Sequence, residues 1–292
     1  MLLAAVLLGL ATCAAWFPSL QVAGGNRLAP WTVGLATATA AAFYAGLVDA
    51  RGLLAIAALC IAGFASHQIA SRGGRRAATV VAVTLAFAMG IQALPGFHDA
   101  VFIDRLRLSA DAAPMRLSLN FAPGAAGLIL LTLFCRRIQS WRELSAVARS
   151  TAPVAAITTA VVMGLGLAVG YVRPDFKLPW ITVAYLVKTL LYTAVLEQAF
   201  FCGIVQQGLM IAPFIAKRPA LRWLPILVAS VLFGVAHASA GPIFVMLAFV
   251  AGVGYSVAYA LTRRVEAAIA VHFAVNAVHF VGFTYPRFSQ GV

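Results

Sequence analysis

The chain has 292 residues, 63% of them hydrophobic and 10% charged, with a formal net charge of +13. Soluble domains carry about 25% charged residues, so this composition excludes a water-soluble globule and predicts a polytopic transmembrane helical bundle of the all-α class. The cations fall in short clusters between apolar runs, without interleaved aromatics. That excludes nucleic acid as a partner and makes the lipid bilayer the expected one.

About ten segments approach the roughly 20 apolar residues that a membrane helix needs. In chain order they are 2–19, 32–49, 52–70, 77–95, 121–135, 151–172, 180–210, 224–240, 243–262 and 267–285. The first, MLLAAVLLGLATCAAWF, lacks the basic start of a signal peptide. Its Leu10-Ala11-Thr12-Cys13 misses a lipobox at Thr12, so it is expected to remain as a first span. The run 180–210 is too long for one straight crossing and is expected to tilt, kink or project. Cys13, Cys60, Cys135 and Cys202 all lie inside apolar runs at spacings unlike a zinc or disulfide framework, and read as small packing residues.

Basic residues set the topology. Arg27, the Arg72/Arg75/Arg76 group, Arg136 to Arg149, Lys217/Arg218/Arg222 and Arg263/Arg264 fall in loops on one side, richer in cations than the other. The positive-inside rule then predicts both termini outside, which is periplasmic for a bacterial inner-membrane protein. The outside loop 96–120 is expected to fold over that face as a short helix or hairpin. The inside segment 136–150, RRIQSWRELSAVARS, reads as a basic interfacial linker on anionic headgroups. The expected division is an N-terminal transmembrane region, 1–145, and a C-terminal region, 146–292, each with about five spans. The second carries the chemistry.

That chemistry rests on polar residues that are costly at membrane depth and default to functional hypotheses there. Glu197 follows Thr189 and Thr193 at four-residue spacing, which gives one α-helical face a carboxylate and two hydroxyls. Phe233 and His237 are four apart, so the ring can pack one turn below the imidazole. Small residues around His237, from Gly234 to Gly241, leave room for water or substrate. His272 and Asn276 share a face and offer two hydrogen-bond donors, as a developing oxyanion requires. His279 extends that face but reads as a bystander. The ladder Ala248, Gly252, Ser256 and Ala260 reads as packing only. Against each functional reading stands a structural one: a carboxylate bonded to a neighbouring helix, a core histidine, a polar clamp between helices.

The three elements, AVLEQAFFCG, LFGVAHAS and AVHFAVNAVH, resemble the motifs of the CPBP (CAAX protease and bacteriocin-processing, also called ABI) family of intramembrane endopeptidases. That family's pattern is Glu-Glu-x3-Arg, Phe-x3-His and His-x3-Asn on successive helices. The second and third match in full; the first matches at Glu197 alone, with Gln198 in place of the second Glu and Cys202 in place of the Arg. A Glu and an Arg four apart would pair, and losing one partner would strand a buried charge at a cost of about 3–5 kcal/mol. Here both are absent, so no charge is stranded.

The resemblance, which covers about residues 150–285, implies a glutamate-type peptidase acting on membrane-associated protein or peptide substrates. Glu197 would activate water with His237, and His272 and Asn276 would hold the oxyanion. Gln198, Phe233 and Cys202 would support the site or bind substrate. No cofactor is expected. Alternatives are a zinc-dependent version with two His and one Glu as ligands, a non-catalytic immunity or scaffold protein on the same fold, and a transporter.

Overall fold

The computed structural model describes residues 1–21 and 27–289. The chain is a helical bundle whose principal helices follow the expected apolar runs. They are α1 (Leu2–Cys13), α2 (Pro30–Tyr44), α3 (Ala50–Gln68), α4 (Arg72–Gly90), α5 (Phe121–Phe134), α6 (Trp141–Ala168), α7 (Thr182–Ile211), α8 (Leu224–Ala236), α9 (Pro242–Thr262) and α10 (Val265–Gly282). Local signals set several boundaries. Asp49 caps α3, its Oδ1 accepting from the Arg51 and Gly52 amides at 2.7 and 3.2 Å. Ser71 and Ser140 cap α4 and α6 in the same way. Pro30 and Pro242 open α2 and α9, where a missing amide hydrogen costs nothing.

The expectation of about ten spans is narrowed by helix length. Among the described residues, six helical segments are long and apolar enough to cross a membrane: Ala50–Gln68, Trp141–Ala168, Thr182–Ile211, Pro219–Ala236, Pro242–Thr262 and Val265–Gly282. Helix α5 has 14 residues, about 21 Å at 1.5 Å per residue against a hydrocarbon core of about 30 Å. Helix α4 has 19 residues but spends its first turns on Arg72, Arg75 and Arg76.

The chain forms two compact units. The first holds residues 1–101, 118–135 and 191–200, and the second 102–117, 136–190 and 201–292. In the first, α1 packs on α2, α3 on α4, and α5 touches α1, α3 and α4. Helix α5 is buried on every face from Phe121 to Leu131 apart from Pro123, as befits a helix surrounded by others. Strands β1 (Leu20–Gln21) and β2 (Arg27–Leu28) pair antiparallel, with Leu20 opposite Leu28.

In the second unit α6, α9 and α10 pack on one another and α8 lies along α9. Strands β3 (Ala100–Leu106) and β4 (Met115–Leu119) pair with each other, so the 96–120 loop takes the hairpin form of the two expected. Met115 and Leu117 carry it onto a core of Ile181, Tyr185 and Phe280, where the Tyr185 and Phe280 rings stack at 3.9 Å. The C-terminal strap, 283–289, is sewn to the 171–175 loop. The Thr284 amide donates to the Arg173 carbonyl and the Phe288 amide to that of Tyr171, each at 2.9 Å. Beside it, Lys177 Nζ reaches Asp175 Oδ2 at 2.9 Å, and the Ser109 hydroxyl donates to the same carboxylate.

The 136–150 segment departs from the linker reading. Helix α6 begins at Trp141 within it. The Arg264 guanidinium donates to Glu143, and Glu266 Oε1 accepts from the Ile138 amide at 2.7 Å. Two acids with charge-assisted bonds dock the stretch onto the start of α10.

Candidate functional site

Helix α8 ends at His237, whose φ of −99° already leaves the helix. A single 3-10 turn, Ala238–Ala240, follows, and then Gly241 at φ +94°, a conformation that an L side chain resists. The result is a short, small-residue corner holding one imidazole at a helix end. His237 Nδ1 donates to the Phe233 carbonyl at 2.8 Å. That bond leaves Nε2 as the ring's acceptor.

Phe233 is the hub of an aromatic cluster in the second unit. Its ring centroid lies 4.7 Å from His237, 5.8 Å from His272, 5.3 Å from Phe201 and 5.4 Å from Tyr255. His272, from α10, lies flat on Tyr255 at 4.7 Å and 8°. The expected ring beneath His237 is therefore present, and the same ring touches His272 as well. Asn276 stands one turn along α10 from His272 and is half-buried. His279 packs away from this cluster, its ring 5.1 Å from Tyr285.

Close packing of α8 on α9 makes room for the hub. A Cβ on Gly252 would meet Phe233 and the Ser230 Cα at 3.3 Å, and one on Gly234 would meet the Val245 carbonyl at 3.0 Å. This supports the small-residue ladder as packing, with one correction at Ser256. Its hydroxyl pairs with that of Ser230 at 3.4 Å, and its carbonyl accepts from the buried Gln206 amide at 2.8 Å. A buried amide needs such a partner, so this rung is polar and not packing alone.

Glu197 belongs to the first unit. It lies in a single α-turn, Val195–Gln198, between two π-helical stretches of α7, Thr189–Ala194 and Ala199–Gln206. The long run thus relieves its length by widening its turns. Bonding from i to i+5 is rare and recurs at functional sites. It breaks, between Thr189 and Ala194, the α-helical register on which the shared face of Thr189, Thr193 and Glu197 rested.

Neighbouring helices clamp this turn. A Cβ on Gly127 of α5 would fall 2.9 Å from the Leu196 Cα, and one on Gly124 would fall 2.6 Å from the Tyr192 ring. The Tyr192 hydroxyl donates to the Ala5 carbonyl, and the Phe87 and Phe200 rings meet at 5.5 Å. Gly127 and Gly124 were not singled out in the sequence, although PGAAG inside an apolar run carries the signal of close helix approach. Gln198 and Cys202 are fully buried, at 0% and 1% exposure. A Glu–Arg pair at these positions would have to be stripped of water, whereas a carboxamide and a thiol avoid most of that cost. Among the described residues, no three His, Cys, Asp or Glu side chains gather closely enough to hold a metal ion.

Comparisons with curated proteins and with solved structures give no match. Residues 178–278 match the family model for "Type II CAAX prenyl endopeptidase Rce1-like", a segment that holds Glu197, Gln198, Cys202, Phe233, His237, His272 and Asn276. The match covers about a third of the chain, the third that carries all three motifs, and this similarity to an Rce1-like family model is consistent with the CPBP family that those motifs resemble.

Proposed function

We propose that the chain is an intramembrane endopeptidase that hydrolyses peptide bonds in membrane-embedded protein or peptide substrates. The observation that carries this reading is the Phe233 hub, which touches the motif histidines of two helices at once, inside the segment with the family match. Phe233 restricts the His237 ring, and the Phe233 carbonyl orients its Nδ1–H, so Nε2 is available to hold a water. Glu197 takes the proton from that water as it attacks the scissile carbonyl, a role that contributes about 10²–10⁴-fold. His272 and Asn276 donate to the oxyanion, where removing one donor costs about 10²–10³-fold. The proton on Glu197 then passes to the leaving amine. The substrate is a membrane-associated peptide; the family name adds a prenylated CAAX peptide to the set to be tried.

The test is cleavage by the purified protein in lipid nanodiscs. Glu197→Gln and His237→Ala are expected to abolish turnover with the fold intact by circular dichroism. Turnover retained by either variant refutes the assignment. Loss of wild-type turnover on chelation, with rescue by zinc, would replace the glutamate mechanism with a metal-dependent one. A second reading, a non-catalytic immunity or scaffold protein, is favoured by the departures Gln198 and Cys202. It requires that Glu197→Gln keep full biological activity.

A further inference from the structure

A second feature of the second unit lies beside the His237 corner. A cavity of about 320 Å³ opens between the 169–171 turn after α6, the 240–243 connection into α9, and Arg287 and Phe288 of the C-terminal strap. Two stretches of its wall are bare glycine backbone. Gly170 and Gly241 both have left-handed φ, +70° and +94°, with nothing within 4 Å of a Cβ on either.

The cavity has one sign of charge. No Asp or Glu lines it, and Arg287 does. A second guanidinium, that of Arg173, stacks 3.6 Å above the Phe288 ring that forms part of the wall. Burial pushes the Tyr171 hydroxyl above its ordinary pKa while the charge of Arg287 works against that rise, so the guanidinium is in electrostatic reach of the wall. Arg287 is held by its backbone, its carbonyl accepting from the Ala113 amide at 3.0 Å, and its side chain is exposed. A cation anchored at the backbone and open at its head is suited to receive an anion.

The cavity is also within reach of the chemistry. Tyr171 on its wall is 5.9 Å from Phe244 by ring centroid, and Phe244 is 5.5 Å from His237. An extended chain covers roughly 3.3 Å per residue, so a peptide bond at His237 and a side chain in the cavity fit within about four residues of one strand.

We infer that this cavity is an acid-selecting subsite. It takes an Asp or Glu side chain of the peptide substrate, within about four residues of the scissile bond, with Arg287 as the specificity-determining residue. The inference rests on the peptidase reading of the His237 corner and adds to it a class of substrate. An anionic lipid headgroup would satisfy the same charge. The peptide is favoured because the wall of the cavity is continuous, through Phe244, with the histidine that would bind the water.

The experiment uses the whole 292-residue chain carrying Glu197→Gln, in phosphatidylcholine nanodiscs. The probes are fluorescent apolar peptides in which one Asp, or one Asn, is stepped along the sequence. One Asp position is expected to bind about tenfold more tightly than its Asn counterpart, as a charge-assisted bond supplies. Arg287→Gln should erase the difference and Arg287→Lys should keep part of it. Ala240→Trp, which fills the cavity from an exposed position, should erase it as well. Equal binding of all Asp and Asn pairs, no binding of any peptide, or a preference that survives Arg287→Gln overturns the inference. So does a preference abolished by phosphatidylglycerol at constant ionic strength, which assigns the cavity to headgroups. Wild-type cleavage of the same peptides separates the two readings. Binding preference without cleavage removes the peptidase and leaves the subsite; cleavage without preference does the reverse.

Discussion

Gly127→Ala is the sharpest probe of how Glu197 is held. The added Cβ would lie 2.9 Å from the Leu196 Cα and 3.0 Å from its N and Cβ. Carbon atoms pack comfortably at about 3.5–4.0 Å, so the α5 and α7 backbones must part by roughly 0.6–1 Å. Overpacking of this kind costs about 1–3 kcal/mol. Because the clash is with the backbone next to Glu197, no side-chain rotation relieves it. A displacement of 1 Å at a reacting group costs about 100-fold in rate. The expected outcome is a kcat lowered by about that factor with a small fall in Tm, measured by peptide turnover and thermal unfolding in nanodiscs. The control is Gly208→Ala on the same helix, where nothing lies within 4 Å of the new Cβ; it should turn over at the parent rate. Parent-level turnover by Gly127→Ala would show that the clamp at Leu196 does not position Glu197, and the reasoning would fail.

Two further outcomes follow from the second unit. Phe233→Leu should lower kcat about tenfold with little change in KM, because it frees both imidazoles without creating a charge or a large cavity; a changed KM at constant kcat would make Phe233 a substrate contact instead. Asp175 should make the C-terminal strap acid-sensitive. Burial raises its pKa, but the Ser109 hydroxyl and Lys177 outweigh burial and leave it below 3.8. A depressed carboxylate stabilises the fold fully above its unfolded value near 4, and that contribution is lost as pH falls through the folded value. The amide protection factors of 281–289, which are corrected for the intrinsic exchange rate, should therefore fall below about pH 4 in the parent. In Asp175→Asn protection should be low both above and below about pH 4, and an unchanged acid response in that variant would refute the assignment.

Helical spacing alone predicts the Phe233–His237 contact, and the structure has it. Glu197, His237 and His272 stand out in the sequence because an apolar chain has few reasons to keep them, and their roles belong to the proposed function. What the sequence does not reveal depends on backbone geometry. The π stretches of α7 leave no composition signal, and without them a four-residue count looks sound. The clamp at Gly127 requires knowing which helix faces it. Segment 136–150 read as a linker because its cations dominate, yet Glu143 and Glu266 tie it down through long-range bonds. The acid-selecting cavity unites residues 169–171, 240–243 and 287–288, three stretches too far apart in the chain to suggest one another.

The widened turns on either side of Glu197 matter for anyone lining this chain up with its relatives. Each π stretch takes up one residue more than an α-helix of the same rise would hold, so it behaves as an insertion that the amino-acid letters do not mark. A relative whose equivalent helix is α throughout will superpose on Val195–Gln198 only if a one-residue gap is opened within Thr189–Ala194. A second gap, within Ala199–Gln206, is needed before Gln207 and the residues after it fall into step.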